Sequence, residues 1–320
     1  MVHEDNSPVN PYDVGHLIAL AYPERIAKVS DEGVGLYRLA SGETASVAQQ
    51  DMLSSYDWLA VASLGARIFL AAPLRVDGLE SLMVTKDVLT WDNRQGTIIA
   101  RRERRIGRII VDSRPLHDIP PEDIIRTLCE AAPKYGLSMF NFNDKVSSLQ
   151  RRIETVRGWH PDLGLPDVST ESVLTRAADW LLSPDIRKVD ICSAVWSLLS
   201  YDQQQAVDRL APTHITVPTG SRIRVEYRQG AELPVLRVRL QECFGMQDTP
   251  RIDDGRQPVL LELLSPGFKP VQLTQDLRHF WQSTYFEVRK ELRRRYPKHA
   301  WPDNPLEAPP TRGVKHKVNS

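Results

Sequence analysis

The stretch TQDLRHFWQSTYFEVRKELRRRYPKHAWPD, residues 274–303, sets the reading of the whole chain. Leu277, Trp281, Tyr285, Val288 and Leu292 recur at steps of four and three, which at about 100° per residue puts them on one narrow stripe. Arg289, Lys290, Arg293 and Arg294 fall beside or opposite that stripe. Thr274 stands where an N-cap belongs with Asp276 in the first turn, the cations crowd the last turn where the helix dipole favours them, and Pro297 ends the helix. The spacing predicts one basic amphipathic helix with an apolar anchor, running into a Pro-, His- and Trp-rich tail.

Upstream of that helix, from Thr213, the apolar period switches to two. In SRIRVEY, Ile223, Val225 and Tyr227 alternate with Arg222, Arg224 and Glu226; in VLRVRL, Leu236, Val238 and Leu240 alternate with Arg237 and Arg239. An antiparallel sheet is expected, its apolar face the dock for the helix stripe. If the two strands pair in register, four arginines share the other face and repel unless an anion or a carboxylate lies between them. An anion-binding sheet and a sheet neutralised internally by Glu226, Glu232 and Glu242 both fit. PVLLELLSP reads as a buried strand, Pro266-Gly267 as a turn, and PLEAPPTRGVKHKVNS as a tail that wraps or stays disordered.

These segments carry a resemblance. QLTQDLRHFWQSTYFEVRKELRRRYPKHAWPDNPLEAPPTR, with LAPTHITVPTGSRIRVEY and VRLQECFGMQDTPRI before it, resembles the C-terminal region of bacterial DEAH-box helicases of the HrpB family. LIALAYPERIAK, WLAVASL and ARIFLAAP are similar to the segment that follows the helicase core in that family, so the likeness runs from about residue 16 to 312. It implies an α+β multidomain chain. Residues 1–34 would end a helicase-associated helical bundle, 35–115 form an OB-fold-like β-barrel, 116–212 a helical connector, and 213–320 the C-terminal domain with its antiparallel sheet, basic amphipathic helix and Pro-rich tail. A motor needs a Gly-rich phosphate loop and an acidic box for magnesium. No G-x-x-x-x-G-K-[ST] occurs, and Asp31-Glu32 is followed by Gly33-Val34 rather than Ala-His. ATP and magnesium are therefore expected on motor domains outside this sequence, in cis or in trans, and the chain alone is not expected to hydrolyse ATP.

The residues of the N-terminal half agree with this division. VGHLIALAYPERI reads as a short helix stopped at Pro23, with Leu17, Ile18 and Leu20 offering an apolar patch. GLYRLASGETASVA is a hairpin turning at Ser41-Gly42, WLAVASL and ARIFLAAPL are strands joined near Gly65, and TIIARRERRIGRIIVDSR gives two more. Five strands suit a small barrel, which the resemblance names an OB-fold, a barrel that commonly binds single strands. Arg101, Arg102, Arg104, Arg105 and Arg108 crowd around Gly107, either to track phosphates or to guard a solvated strand edge. IPPEDIIRTLCEAA, NDKVSSLQRRIETVRGW, the segment from Ser169 to Leu182, and SAVWSLLSYDQQQAVDRLAP read as helices whose Trp159, Trp180 and Trp196 fill cores.

Composition excludes several classes. The 320 residues hold 41 Lys/Arg against 41 Asp/Glu, so nucleic-acid affinity must come from local patches. One such patch begins at Pro266, with eleven Lys/Arg against five acids. Three cysteines without C-x-x-C spacing fit a reducing cytoplasm, and no apolar run reaches the roughly 18 residues of a membrane span. The histidines show neither HExxH nor H-x-x-x-H spacing, so no metal site is expected, and Asp253-Asp254-Gly255 reads as a plain turn. No catalytic residue is identified. The leading expectation is an accessory module that binds single-stranded RNA or DNA and couples to a helicase motor. Phosphate contacts are assigned to Arg101, Arg102, Arg104, Arg222, Arg224, Arg237, Arg239, Arg293 and Arg294, and stacking to His299 or Trp301. A protein-interaction platform gripping an acidic partner, or the inactive product of a split gene, are the rival readings.

Overall fold

The computed structural model describes residues 9–229 and 233–314. Glu232, Lys315 and Lys317, which enter the charge arguments above, and the first eight residues lie outside the described residues. Two units divide the chain, Met1–Leu128 and Cys129–Ser320.

The first unit opens with α1 (Pro11–Ala21), capped by the Asn10 side chain, which accepts from Tyr12 N. Strands β1 (Ile26–Val29), β2 (Leu36–Leu39), β3 (Thr44–Ser46), β4 (Trp58–Leu64) and β5 (Ile68–Pro73) form one antiparallel sheet in the order β3-β2-β1-β4-β5. Strands β6 (Val84–Asp92), β7 (Thr97–Ile106) and β8 (Ile109–Pro115) form a separate antiparallel meander. The sequence pattern accounts for six of these eight strands. It missed β1, whose residues it placed in the 1–34 segment that ends a helical bundle, and β6; since β1 pairs with both β2 and β4, the sheet begins before residue 35.

Why WLAVASL is apolar throughout, rather than alternating, follows from what covers each side. Leu59 and Val61 join Ala27, Tyr37, Leu39 and Ile68 in one cluster, whereas Ala60 and Ile26 join Ala19 of α1 and Ile106 and Ile109 of the meander in another. Both faces of the sheet are thus buried, which selects continuous apolar strands. Helix α1 approaches so closely that a Cβ on Gly15 would lie 2.1 Å from the Pro73 carbonyl oxygen. Ile18 packs inward, while Leu17 and Leu20 remain exposed as the sequence suggested.

The second unit begins within α2 (Pro121–Met139), where the division of the chain falls. It continues with α3 (Asp144–Trp159), α4 (Thr170–Thr175), α5 (Ala177–Trp180), α6 (Ile191–Ser197) and α7 (Tyr201–Leu210). Arg152 of α3 is buried, donates to the carbonyls of Val207 and Ala211, pairs with Asp208, and lies over the Trp196 ring. It thereby satisfies the Ala211 carbonyl beyond the end of α7 and shares the Val207 carbonyl with the Ala211 N–H.

Strands β9 (His214–Thr216), β10 (Arg222–Glu226), β11 (Val235–Arg239), β14 (Leu260–Leu264) and β15 (Pro270–Thr274) make a sheet ordered β15-β14-β11-β10-β9, with β12 (Arg251–Ile252) and β13 (Gln257–Pro258) a hairpin apart. β11 and β14 pair in parallel, so the sheet is mixed, correcting the antiparallel expectation. The basic helix is also corrected. It is two helices, α8 (Leu277–Gln282) and α9 (Tyr285–Arg295), broken at Ser283, whose hydroxyl donates to the His279 carbonyl. A Ser-Thr pair there offers the backbone local alternatives to the helical ladder. Asp276, not Thr274, is the N-cap, accepting from His279 N. The stripe itself holds, with Leu277, Trp281, Tyr285 and Leu292 buried together with Phe280. Its ring and polar partners are Phe244, Met246 and Thr249, in the segment after β11.

The β7–β8 turn gives a direct test of the first unit. Gly107 has φ +54°, and a Cβ there would lie 2.3 Å from the Ala40 carbonyl oxygen, which accepts from Arg108 N at 2.9 Å. Gly107→Ala adds a clash to left-handed strain and should cost about 2–3 kcal/mol. Gly96→Ala, with φ +63° and open space around it, carries the strain alone and should cost about 1 kcal/mol. Equal urea midpoints for the two variants would contradict this packing.

Candidate nucleic-acid interface

In the C-terminal sheet Val225 faces Leu236 and Glu226 faces Val235 across β10 and β11. Alternation then places Ile223, Val225, Leu236 and Val238 on one side and Arg222, Arg224, Arg237 and Arg239 together on the other. The register expected from sequence is the one formed. How the four charges coexist is seen in their partners. Arg237 pairs at 3.1 Å with Glu262, its neighbour on β14, and Arg239 at 2.9 Å with Glu242. Arg222 and Arg224 are exposed and have no carboxylate partner among the described residues. Two arginines are consumed inside the protein and two are presented to solvent. Glu262, a partner no sequence argument proposed, sits mid-strand in an apolar run, and only the parallel register brings it beside Arg237.

Glu242 is the buried centre of this end of the sheet. Its carboxylate accepts from Thr219 Oγ1 at 2.9 Å, Ser221 Oγ at 2.6 Å and Arg239 Nε at 2.9 Å. Burial pushes its carboxyl up, but the hydrogen bonds from Ser221, Arg239 and Thr219 outweigh it and hold the group below the usual carboxylate range. Next to it, Gln241 donates to the Ala300 carbonyl and accepts from Thr311 N through its own carbonyl, and its side-chain oxygen meets His299 Nδ1 at 3.0 Å. The Pro-rich tail therefore wraps back on this segment as far as the described residues go.

That wrapping sets the surroundings of several residues named from the sequence. Trp301 is 7% exposed with its indole N–H donated to the Tyr296 carbonyl, so it is core and offers no face to a base. His299 is half-buried against Gln241 and edge-on to Tyr296. Arg289 is held by Asp303 and the Trp301 carbonyl, whereas Arg293 and Arg294 are exposed on α9 without a carboxylate partner among the described residues.

In the first unit, β7 sends Arg101 and Glu103 to one face and Arg102 and Arg104 to the other. Arg102 makes two bonds to Asp87, at 2.7 and 2.8 Å, which hold the Asp87 carboxyl below its usual range. Arg105 pairs with Glu103, and Arg104 reaches Met83 Sδ at 3.0 Å. The run thus separates into paired arginines and an exposed remainder, Arg101 and Arg108.

A groove of about 550 Å³ lies along α3, lined by Lys145, Arg151 and Arg224 with Asp144, Glu226 and Tyr227. Arg151, like Arg224, lacks a carboxylate partner among the described residues. Sequence reasoning passed over Arg151 because a helix-borne arginine has no period that marks it. It also passed over two exposed aromatics: Phe69, 62% exposed beside Arg67, and Phe268, 65% exposed beside Arg239.

Nothing among the described residues resembles a reaction centre. Among the described residues no group of three His, Cys, Asp or Glu side chains could hold a metal ion, and no helix is long and apolar enough to cross a membrane. Burial pushes the Cys243 thiol up to about 12. Asp253, Asp254 and Gly255 form the β12–β13 turn, all at positive φ, with buried Asp253 bonded to His160.

The comparisons with known proteins agree with this architecture. The family model described as ATP-dependent helicase C-terminal matches residues 175–305, and that for the connector region of the ATP-dependent RNA helicase HrpB matches residues 82–116. The connector region thus coincides with the β6–β8 meander, while the sequence reading had placed a connector in the helices of 116–212. The ATP-dependent RNA helicase HrpB of Escherichia coli (strain K12) is 37% identical over 321 residues, covering 94% of this chain and 39% of that protein. A crystal structure of the E. coli DExH-box NTPase HrpB superposes with a TM-score of 0.59 at 38% identity, over 93% of this chain and 39% of that one. A second, of the E. coli DEAH/RHA helicase HrpB, gives 0.53 at 34% identity, over 90% and 38%. The chain spans well under half the length of the proteins it matches.

The Glu242 cluster predicts a pH signature. Its folded pKa lies below the unfolded value of about 4.3, so its stabilisation is complete above that value and is lost as pH falls through the folded pKa. Glu242→Gln should cost about 2 kcal/mol at pH 7, and the gap to the parent should narrow below about pH 4. Urea midpoints differing by the same amount at pH 7 and pH 3.5 would show that the charge contributes nothing.

Proposed function

We propose that this chain, which carries the connector and C-terminal domains of the HrpB family, is the accessory part of an ATP-dependent helicase, holding single-stranded RNA or DNA and coupling it to an ATPase motor. The observation that carries the reading is the arginine face of the C-terminal sheet. Among the described residues, Arg222 and Arg224 expose guanidinium groups without carboxylate partners, backed by Arg237 and Arg239 on internal carboxylates. Such groups release counterions from phosphates without reading sequence. The α3 groove adds Lys145 and Arg151 to the same unit.

The β1–β5 sheet we read as an OB-type barrel. Its order β3-β2-β1-β4-β5, the short helical turn at Met52–Ser55 that packs against β5, and an enclosed cluster around Tyr37, Leu59 and Val61 support that reading. Phe69 and Arg67, on and before edge strand β5, are placed as stacking and phosphate groups are in such barrels. ATP and magnesium would be held by motor domains, in cis or in trans. The part played by this chain is to hold and guide the strand.

Fluorescence anisotropy of a labelled single-stranded 20-mer tests this. Binding should weaken with salt along a straight line in logarithmic coordinates, by about 0.7 of slope per phosphate neutralised. Arg222→Glu with Arg224→Glu should weaken it at least tenfold and flatten the slope, with far-UV circular dichroism unchanged. Absence of binding at low salt by the parent chain would overturn the proposal.

A further inference from the structure

The strained point of the C-terminal sheet is Phe268, in the turn between β14 and β15. Phe268 N donates to the Ser265 carbonyl at 2.9 Å and Ser265 N to the Lys269 carbonyl at 2.8 Å, so Pro266 and Gly267 are the corner residues. The residue after the corner has φ +60°, a position where such loops ordinarily carry glycine. The sequence supplies its glycine one place earlier, where Tyr296 requires it: a Cβ on Gly267 would lie 2.7 Å from Tyr296 Oη. A phenylalanine therefore holds a left-handed backbone, with its side chain 65% exposed.

Neither packing nor loop closure explains that choice. An aromatic ring in water gains little from burial, and left-handed backbone in a residue bearing a Cβ is disfavoured unless it is needed. What the turn achieves is presentation. Arg239 lies over the ring with its Cζ 5.1 Å from the centroid and is itself fixed by Glu242. Glu242 also binds the hydroxyls of Thr219 and Ser221, which immediately precede Arg222. Arg222, Arg239 and Lys269 thus gather at the end of the sheet where Phe268 stands, and Arg222 and Lys269 have no carboxylate partner among the described residues.

We propose that Phe268 is a stacking platform for one unpaired base of a nucleic-acid strand whose phosphates lie on Arg222 and Lys269. An aromatic face beside cations suits a single strand, in which every base offers a π-face and every link a phosphate. An apolar protein segment would find a guanidinium over the ring and two cations without carboxylate partners among the described residues at the same end of the sheet. This inference rests on the nucleic-acid reading above and names the point on the sheet where a base is gripped.

The test separates stability from binding. Phe268→Gly relieves the left-handed strain, so the urea midpoint should stay the same or rise. The affinity for a single-stranded 12-mer should fall by roughly tenfold, the loss of one stacked base, and Phe268→Trp should restore it, with its indole fluorescence quenched on binding. An oligonucleotide made of abasic sites should bind parent and Phe268→Gly equally. Parent binding with no loss in Phe268→Gly overturns the platform and leaves the accessory-helicase reading standing. A lowered urea midpoint in Phe268→Gly also overturns it, by showing the ring to be structural. No binding by the parent chain removes both.

Discussion

Gln241 and Glu242 are buried polar neighbours in a short helical turn at the end of β11, and the C-terminal domain is built around satisfying them. An unpaired carboxylate buried at 4% exposure would cost several kcal/mol. Three donors from two segments supply the remedy, and each is thereby fixed: the β9–β10 turn through Thr219 and Ser221, and β11 through Arg239. Gln241 does the same for the tail, at Ala300, His299 and Thr311. Phe244, directly after them, receives the rings of Trp281 and Tyr285. Sheet, helices and tail meet at one polar turn whose hydrogen bonds specify where each must lie.

This arrangement explains how a chain of zero formal net charge presents a basic surface. Most arginines of the described residues are engaged with carboxylates close by, as Arg102 is with Asp87, Arg237 with Glu262 and Arg239 with Glu242. Such pairs hold geometry and cancel charge. Among the cations without a carboxylate partner, several stand in groups: Arg222 and Arg224 on the sheet, Arg151 on the α3 groove that Arg224 also lines, Arg293 and Arg294 on α9. Counting arginines in a run, as around Gly107, overstates the surface charge. Cross-strand partners decide what remains.

The legible features were those set by local period. Alternation gave β10 and β11 and the arginine face, and the three-and-four spacing gave the buried stripe of α8 and α9. The Ser41-Gly42 and Gly107 turns gave two hairpins. What stayed hidden depends on contacts distant in sequence. β1 falls within the segment read as the end of a helical bundle until β2 and β4 flank it, and Glu262 is one acid in an apolar run until a parallel register sets it beside Arg237. Trp301 has the look of an exposed tail aromatic, yet the wrapping directed by Gln241 buries it. The break at Ser283 was available in the Ser-Thr pair and was overridden by the continuity of the stripe.

Phe268 shows how a failure of local reading becomes informative. Pro266-Gly267 announces a turn, and the simplest expectation gives glycine the left-handed position. Tyr296 instead takes the space beside Gly267, and the left-handed position passes to Phe268. Sequence and local geometry usually agree where only stability is selected, so a disagreement marks a residue retained for another reason. Here the disagreement coincides with an exposed ring, a guanidinium over it, and two cations without carboxylate partners among the described residues at one end of the sheet. Strain alone would indicate little; in that company it identifies the part of the surface built to meet something outside the chain.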